Sequence, residues 1–170
     1  MQKHKRAKHS YYRNRPMTSM QKSYDSFHKN NYTDKSIFMK CPCHSGKNYD
    51  LCCGPYHKNQ KLPETALHLR RSRYSAYALD LADYIIKSTH PNSPLFEKNR
   101  SDWIASIHEF SRTTQFQGLR IEFSDETHVT FYAILNTLGK DTSFREKSLF
   151  EKSGDLWCYV SPITSGRTKR

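Results

Sequence analysis

From Pro63 to about Ser88, apolar side chains return at helical spacing. Leu67, Tyr74, Ala78, Leu81 and Ile85 form one stripe, which predicts a single helix packed by one face. Pro63 suits its first turn, Glu64 complements the dipole there, and the His90-Pro91 step stops it. A loop rich in Pro, Asn and Ser follows at 91–101. SDWIASIHEFSR then reads as a second helix, with Ser101 as N-cap and Trp103, Ile104, Ile107 and Phe110 turned inward. Beyond it the period falls to two. Leu119, Ile121 and Phe123 alternate with Arg120, Glu122 and Ser124; Val129, Phe131, Ala133 and Leu135 make a second run, Ser148 to Glu151 a third, and Leu156, Cys158 and Val160 a fourth. Turn signals at Ser124-Asp125, Gly139-Lys140-Asp141 and Ser153-Gly154-Asp155 separate the runs. Helices first and an antiparallel meander afterwards make the fold class α+β. Arg70, Arg71 and Arg73 interrupt the first stripe, and the plain expectation for them is a solvated face paired with Glu64, Asp80 or Asp83.

The first 36 residues break this patterning altogether. They contain no Val, Leu or Ile. Without such side chains a segment cannot offset a backbone ordering cost of about 1 to 2 kcal/mol per residue, so a disordered extension is expected over 1–38. The net charge of +12 sits mainly at the ends: +8 over 1–40, +3 over 161–170, and only +1 over 41–160. The stretch KHKRAKHSYYRNR places Lys3, Lys5, Arg6, Lys8, Arg13 and Arg15 around Tyr11 and Tyr12. Cations interleaved with aromatic rings suit phosphate contact and base stacking on single-stranded RNA without sequence preference; a merely solvated tail is the plainer alternative. Met39 is an alternative start, under which residues 1–38 are not translated. The mean hydropathy of −0.89 and the lack of a run of roughly 20 apolar residues exclude a membrane-spanning helix. No secretory segment is visible, so a reducing cytoplasm is the expected compartment.

Four of the five cysteines lie within MKCPCHSGKNYDLCCGPYH at 39–57. Cys41, Cys43, Cys52 and Cys53 follow the pattern Cys-x-Cys-x8-Cys-Cys, and Pro42, Gly46 and Gly54 provide turns. Four thiolates at roughly 2.3 Å suit tetrahedral Zn2+. Disulfides within either close pair would be strained, while crosswise pairs stay open on spacing alone and are disfavoured by a reducing compartment. CPCHSGKNYDLCCG resembles the SEC-C motif, a small zinc-binding module of the translocation motor SecA and of many bacterial proteins. The resemblance implies that these four cysteines are the ligands of a closed, structural zinc site. His44 departs from it, since the family has glycine there. A positive φ would make histidine costlier than glycine at that slot. His44 and His57 are competing ligands or supporting groups.

The likeness continues past the cysteines. LRRSRYSAY at 69–77, DYIIKSTH at 83–90, GLRI at 118–121, HVTFYAIL at 128–135 and FREKSLFEKSGDLWCYV at 144–160 resemble the YchJ-like family. Arg70 replaces that family's methionine and His90 its tryptophan. The resemblance implies a SEC-C motif at 39–58, a nuclear-transport-factor-2-like (NTF2-like) domain at 59–162 with helices packed in a curved, cone-shaped antiparallel sheet, and a basic tail at 163–170. SecA uses its motif to bind an export chaperone and the ribosome. By that likeness the knuckle here is an adaptor for a protein partner or the ribosome, presenting Lys47, Asn48, Tyr49, Asp50 and His57. The other reading puts an enzyme or small-molecule site in the cone, with Arg73, Tyr74, His108, Glu122 and Trp157 as candidates. Tyr74 and Trp157 have a plainer reading as core and His108 as a bystander, while Cys158, the remaining thiol, reads as a small buried side chain.

Overall fold

The computed structural model describes residues 39–163. The proposed RNA-contacting residues at 3–15 and the end of the C-terminal tail lie outside the described residues. The knuckle and the following domain belong to one compact unit.

The knuckle comprises a small hairpin, a 3-10 turn at Tyr49–Leu51 and the short helix α1 (Gly54–His57). Three longer helices follow: α2 (Ala66–Ala78), α3 (Ala82–Lys87) and α4 (Arg100–Thr113). The chain then runs through β1 (Thr114–Ser124), β2 (His128–Thr137), the two-residue β3 (Lys140–Asp141), β4 (Phe144–Ser153) and β5 (Leu156–Pro162). The sheet is antiparallel in the order β1-β2-β4-β5, with β3 pairing antiparallel with the end of β2. This is the expected mixed α+β meander. No helix among the described residues is long and apolar enough to cross a membrane.

The single helix expected over 63–88 is two helices. Thr65, not Pro63, opens α2 by accepting a hydrogen bond from the backbone N–H of His68 at 3.1 Å. Its far end closes as a Schellman motif: Asp80 adopts φ 57°, its N–H donates to the Tyr77 carbonyl, and the Leu81 N–H donates to the Ala76 carbonyl at 2.9 Å. Aspartate takes the left-handed slot that glycine usually holds. The helix expected to be capped by Ser101 starts two residues earlier, because Asn99 accepts from the N–H groups of Ser101 and Asp102. Trp103 and Ile107 face inward as anticipated; Phe110 is 38% exposed.

Helix α2 covers one face of the sheet. Ala66, Leu69 and Tyr74 pack with Leu119, Val129, Phe131, Ala133, Leu135, Phe150, Trp157 and Tyr159. A second small core joins Ala76, Ala82, Ile85, Trp103 and Ile107. The alternation on β2 holds as read. On β1 a bulge between Ile121 and Phe123 turns Phe123 outward, 54% exposed. On β5 the core-facing residues are Trp157 and Tyr159, while Cys158 is buried as well. Residues 88–90 run along this strand: the Tyr159 N–H donates to the Ser88 carbonyl and the His90 N–H to the Tyr159 carbonyl. A covered edge buries both faces and erases the alternation.

The solvated arginine face is likewise overturned for two of its three members. Arg70 and Arg73 are buried between α2 and the sheet, because their positions on α2 point at Phe131 and Tyr159.

Candidate metal centre

Two short turns bring the four thiols together. In the first, the Cys41 N–H donates to the Lys47 carbonyl at 2.8 Å and the His44 N–H to the Cys41 carbonyl at 3.1 Å, which folds Cys41 and Cys43 onto one side. In the second, the 3-10 turn leads into α1 and carries Cys52 and Cys53. The second turn closes tightly on itself at Gly54, where a Cβ would stand 2.9 Å from the Tyr49 carbonyl oxygen.

The four sulfurs lie within 4.8 Å of one another. Cys43 Sγ and Cys52 Sγ are 3.6 Å apart, and Cys52 Sγ and Cys53 Sγ 3.9 Å. A tetrahedral ion with metal–sulfur bonds of about 2.3 Å has sulfur–sulfur edges of about 3.8 Å, so the spacing fits a four-thiolate ion. All five cysteines are free thiols. The Ser45 hydroxyl lies 3.3 Å from both Cys43 Sγ and Cys52 Sγ, and the Ser75 hydroxyl of α2 lies 3.7 Å from Cys41 Sγ. These groups are placed to soften the negative charge of the sulfurs.

The thiols are also electrostatically mismatched. Hydrogen bonds from Cys41 and Cys53, then from Ser45, hold the Cys43 thiol far below the ordinary thiol range. Hydrogen bonding to Cys41 and Cys43 pushes the Cys53 thiol far up, and burial pushes Cys52 up to about 11. Four sulfurs this close cannot all carry charge unaided. A dication relieves that conflict by replacing the protons.

The two histidines are joints rather than ligands. His44 has φ 55°, which explains why glycine is the related motif's residue there. Its Nε2 donates to the Phe116 carbonyl of β1 at 3.2 Å, and its ring meets Tyr74 edge-on. His57 Nε2 donates to the Ser72 carbonyl of α2 at 2.9 Å, so Nδ1 accepts from the Tyr49 hydroxyl at 2.8 Å. Burial pulls the His57 pKa below its ordinary value. Arg71 adds a third tie, donating to the Cys43 carbonyl at 3.1 Å. Tyr49 and His57 therefore face the domain, whereas Lys47 is exposed and Leu51, absent from the expected outer surface, is 79% exposed.

The five candidate pocket residues do not converge. Arg73 Nη1 donates to the Ile85 carbonyl and to the Ser88 and Thr89 hydroxyls, at 2.9, 2.7 and 3.1 Å. The Tyr74 hydroxyl donates to the Gly118 carbonyl, and Trp157 Nε1 to the Glu64 carbonyl. Glu122 pairs with Arg145 at 2.7 Å. His108 Nδ1 meets Asp80 at 2.5 Å and borders a cavity of about 330 Å³, shared with His57, Leu81, Tyr84 and Ile104. Sequence reasoning missed Ser45, Arg71 and Ser75 as supports of the thiol cluster. Arg71 and Ser75 lie one helical turn apart, a spacing that places both on one side of α2.

Residues 65–162 match the family model of the YchJ middle NTF2-like domain. A UPF0225 protein of Haemophilus influenzae (strain PittEE) is 35% identical over 130 residues, covering 74% of this chain and 78% of its own. A UPF0225 protein of Deinococcus radiodurans is 34% identical over 124 residues, covering 72% and 88%. Among solved structures, a SEC-C motif containing protein from Rhodopseudomonas palustris superposes with TM-score 0.62 at 30% identity, covering 75% of this chain and all of that one. A second, from Psychrobacter arcticus, gives 0.59 at 26% identity, covering 79% and 87%.

Proposed function

The chain belongs to the YchJ family, in which an NTF2-like domain follows a SEC-C cysteine cluster, and from that membership we propose that it is a zinc-stabilised binding module. Its partner is a protein or the ribosome, met through the outer surface of the knuckle. The observation that carries this reading is the closed cluster itself. Four protein sulfurs at tetrahedral spacing leave no coordination position for water or substrate, which is the signature of a structural rather than a catalytic ion. Thiolates in this geometry suit zinc among the common divalent ions. What the metal then supplies is rigidity, which lowers the ordering cost of presenting a surface. The exposed side chains of the knuckle include Leu51, Lys47 and Lys40, one apolar group and two cations for a partner to meet. The basic extension adds nonspecific attraction for RNA.

Two measurements test this. Elemental analysis of protein purified without chelator is expected to find about one zinc per chain, and a metal-free result would remove the metal assignment. Co-sedimentation with purified bacterial ribosomes, and capture of an export chaperone, are expected to weaken in Leu51→Asp and Lys47→Glu with zinc content unchanged. Equal binding by both variants would move the contact off the knuckle.

A further inference from the structure

Arg70 is a buried cation with no hydrogen bond among the described residues. It is 9% exposed, and its Nε is sealed from solvent with no acceptor. Its guanidinium carbon lies 3.5 Å from the centre of the Phe131 ring, so one flat face of the fork is covered. Arg73, one turn along α2, gives no relief, because it is itself cationic and donates to oxygens at 85–89. The nearby carboxylate, Glu146, is held by the Ser148 hydroxyl and lies 3.5 Å from the Tyr159 hydroxyl, and forms no ion pair with Arg70. Burial pulls the Arg70 pKa down to about 10, with Glu146 opposing and Arg73 adding to the drop. Leaving a desolvated charge unmatched is costly.

The geometry of the mismatch selects a ligand chemistry. With Phe131 against one face and Nε sealed, the Nη1–Nη2 edge of the guanidinium is what remains to offer, and that edge matches a planar oxyanion in a two-point contact. Two guanidinium groups against one carboxylate leave a single positive charge, which a monoanion neutralises and a dianion exceeds. Part-exposed aromatic rings pack against residues around this charge. Phe144 meets Phe131 edge-on at 5.9 Å and is 40% exposed. Phe110, also part-exposed, meets Tyr77 edge-on at 5.5 Å, and Tyr77 follows Arg70 by two turns of α2.

We propose that Arg70 anchors a site for the carboxylate of a small aromatic acid, whose ring rests against Phe144. The site stands independently of the knuckle and its partner. Its test is a titration of the full chain with benzoate, followed by calorimetry and by backbone NMR shifts, with acetate and inorganic phosphate as comparison probes. Saturable benzoate binding is expected, with acetate weaker for want of a ring and phosphate weaker because Glu146 opposes its second charge. Arg70→Met keeps an unbranched side chain over Phe131, and should lose at least about tenfold in benzoate affinity while unfolding at a higher temperature without ligand. Glu146→Gln removes the opposing charge and should bind benzoate more tightly; it carries the test if Arg70→Met fails to fold. The absence of saturable benzoate binding, unchanged affinity in Arg70→Met, weaker binding in Glu146→Gln, or phosphate binding tighter than benzoate would each overturn the assignment.

Discussion

His44 holds a left-handed backbone, φ 55°, in a slot where glycine would cost about 1 kcal/mol less. What it gains there is a hydrogen bond to the Phe116 carbonyl and an edge contact with Tyr74, together worth about 1 kcal/mol. The two effects nearly cancel, and two variants separate them. His44→Gly should unfold in urea within about 0.5 kcal/mol of the wild type, losing the ties but shedding the strain. His44→Ala loses the ties and keeps the strain, so it should fall by about 1 to 2 kcal/mol. Measurements at fixed zinc concentration keep metal binding out of the comparison. The strain at this position was legible in the sequence from the family's glycine, but its compensation was not, because the carbonyl that His44 reaches lies 72 residues away.

Between elements, the knuckle is fastened to α2 by a neutral histidine. His57 donates from Nε2 to the Ser72 carbonyl and accepts at Nδ1 from Tyr49, and burial depresses its pKa below 6.5. The unfolded chain therefore binds a proton that the native chain refuses once pH drops below 6.5. Stability from this group is complete above the unfolded value and is lost as pH falls through the lower native one. Urea midpoints taken from pH 7.5 downward should decline more steeply for the wild type than for His57→Gln. A second joint lies at the sheet edge, where Arg73 gathers the Ile85 carbonyl, Ser88 and Thr89 beneath β5. Arg73→Met strands those acceptors and should cost about 3 kcal/mol, with faster amide exchange along 88–90 and β5. Strand β2 and helix α4 could be read from hydrophobic period, whereas the bulge on β1 turns Phe123 out and β5, its edge covered by residues 88–90, packs Trp157 and Tyr159 inward where Leu156, Cys158 and Val160 were expected. The break between α2 and α3 could not, because Asp80 fills the position where glycine would have signalled a stop. Nor could Arg70 and Arg73 be read as buried, since their partners are backbone carbonyls, hydroxyls and rings rather than carboxylates spaced along the same helix.

At the scale of the whole molecule, charge and fold occupy different parts of the chain. Residues 39–163 contain sixteen Lys or Arg against fourteen Asp or Glu, so ten of the twelve net positive charges belong to the residues on either side. Any long-range attraction for polyanions must come from those residues, whereas a contact made by the knuckle depends on local shape. Ionic strength distinguishes the two, because each phosphate neutralised on a single strand contributes about −0.7 to the slope of log affinity against log salt. If about five of the cations between Lys3 and Arg15 engage RNA, the full chain should show a slope of roughly −3.5 on a single-stranded oligonucleotide. A chain beginning at Met39 keeps only Arg167, Lys169 and Arg170 of those flanking charges and should show a much shallower slope, while keeping whatever affinity it has for a partner of the knuckle. Equal slopes for the two chains would sink the RNA role of the extension. Equal ribosome binding at low and high salt by both would assign the interaction to the knuckle, where Leu51 supplies an apolar contact that salt does not screen.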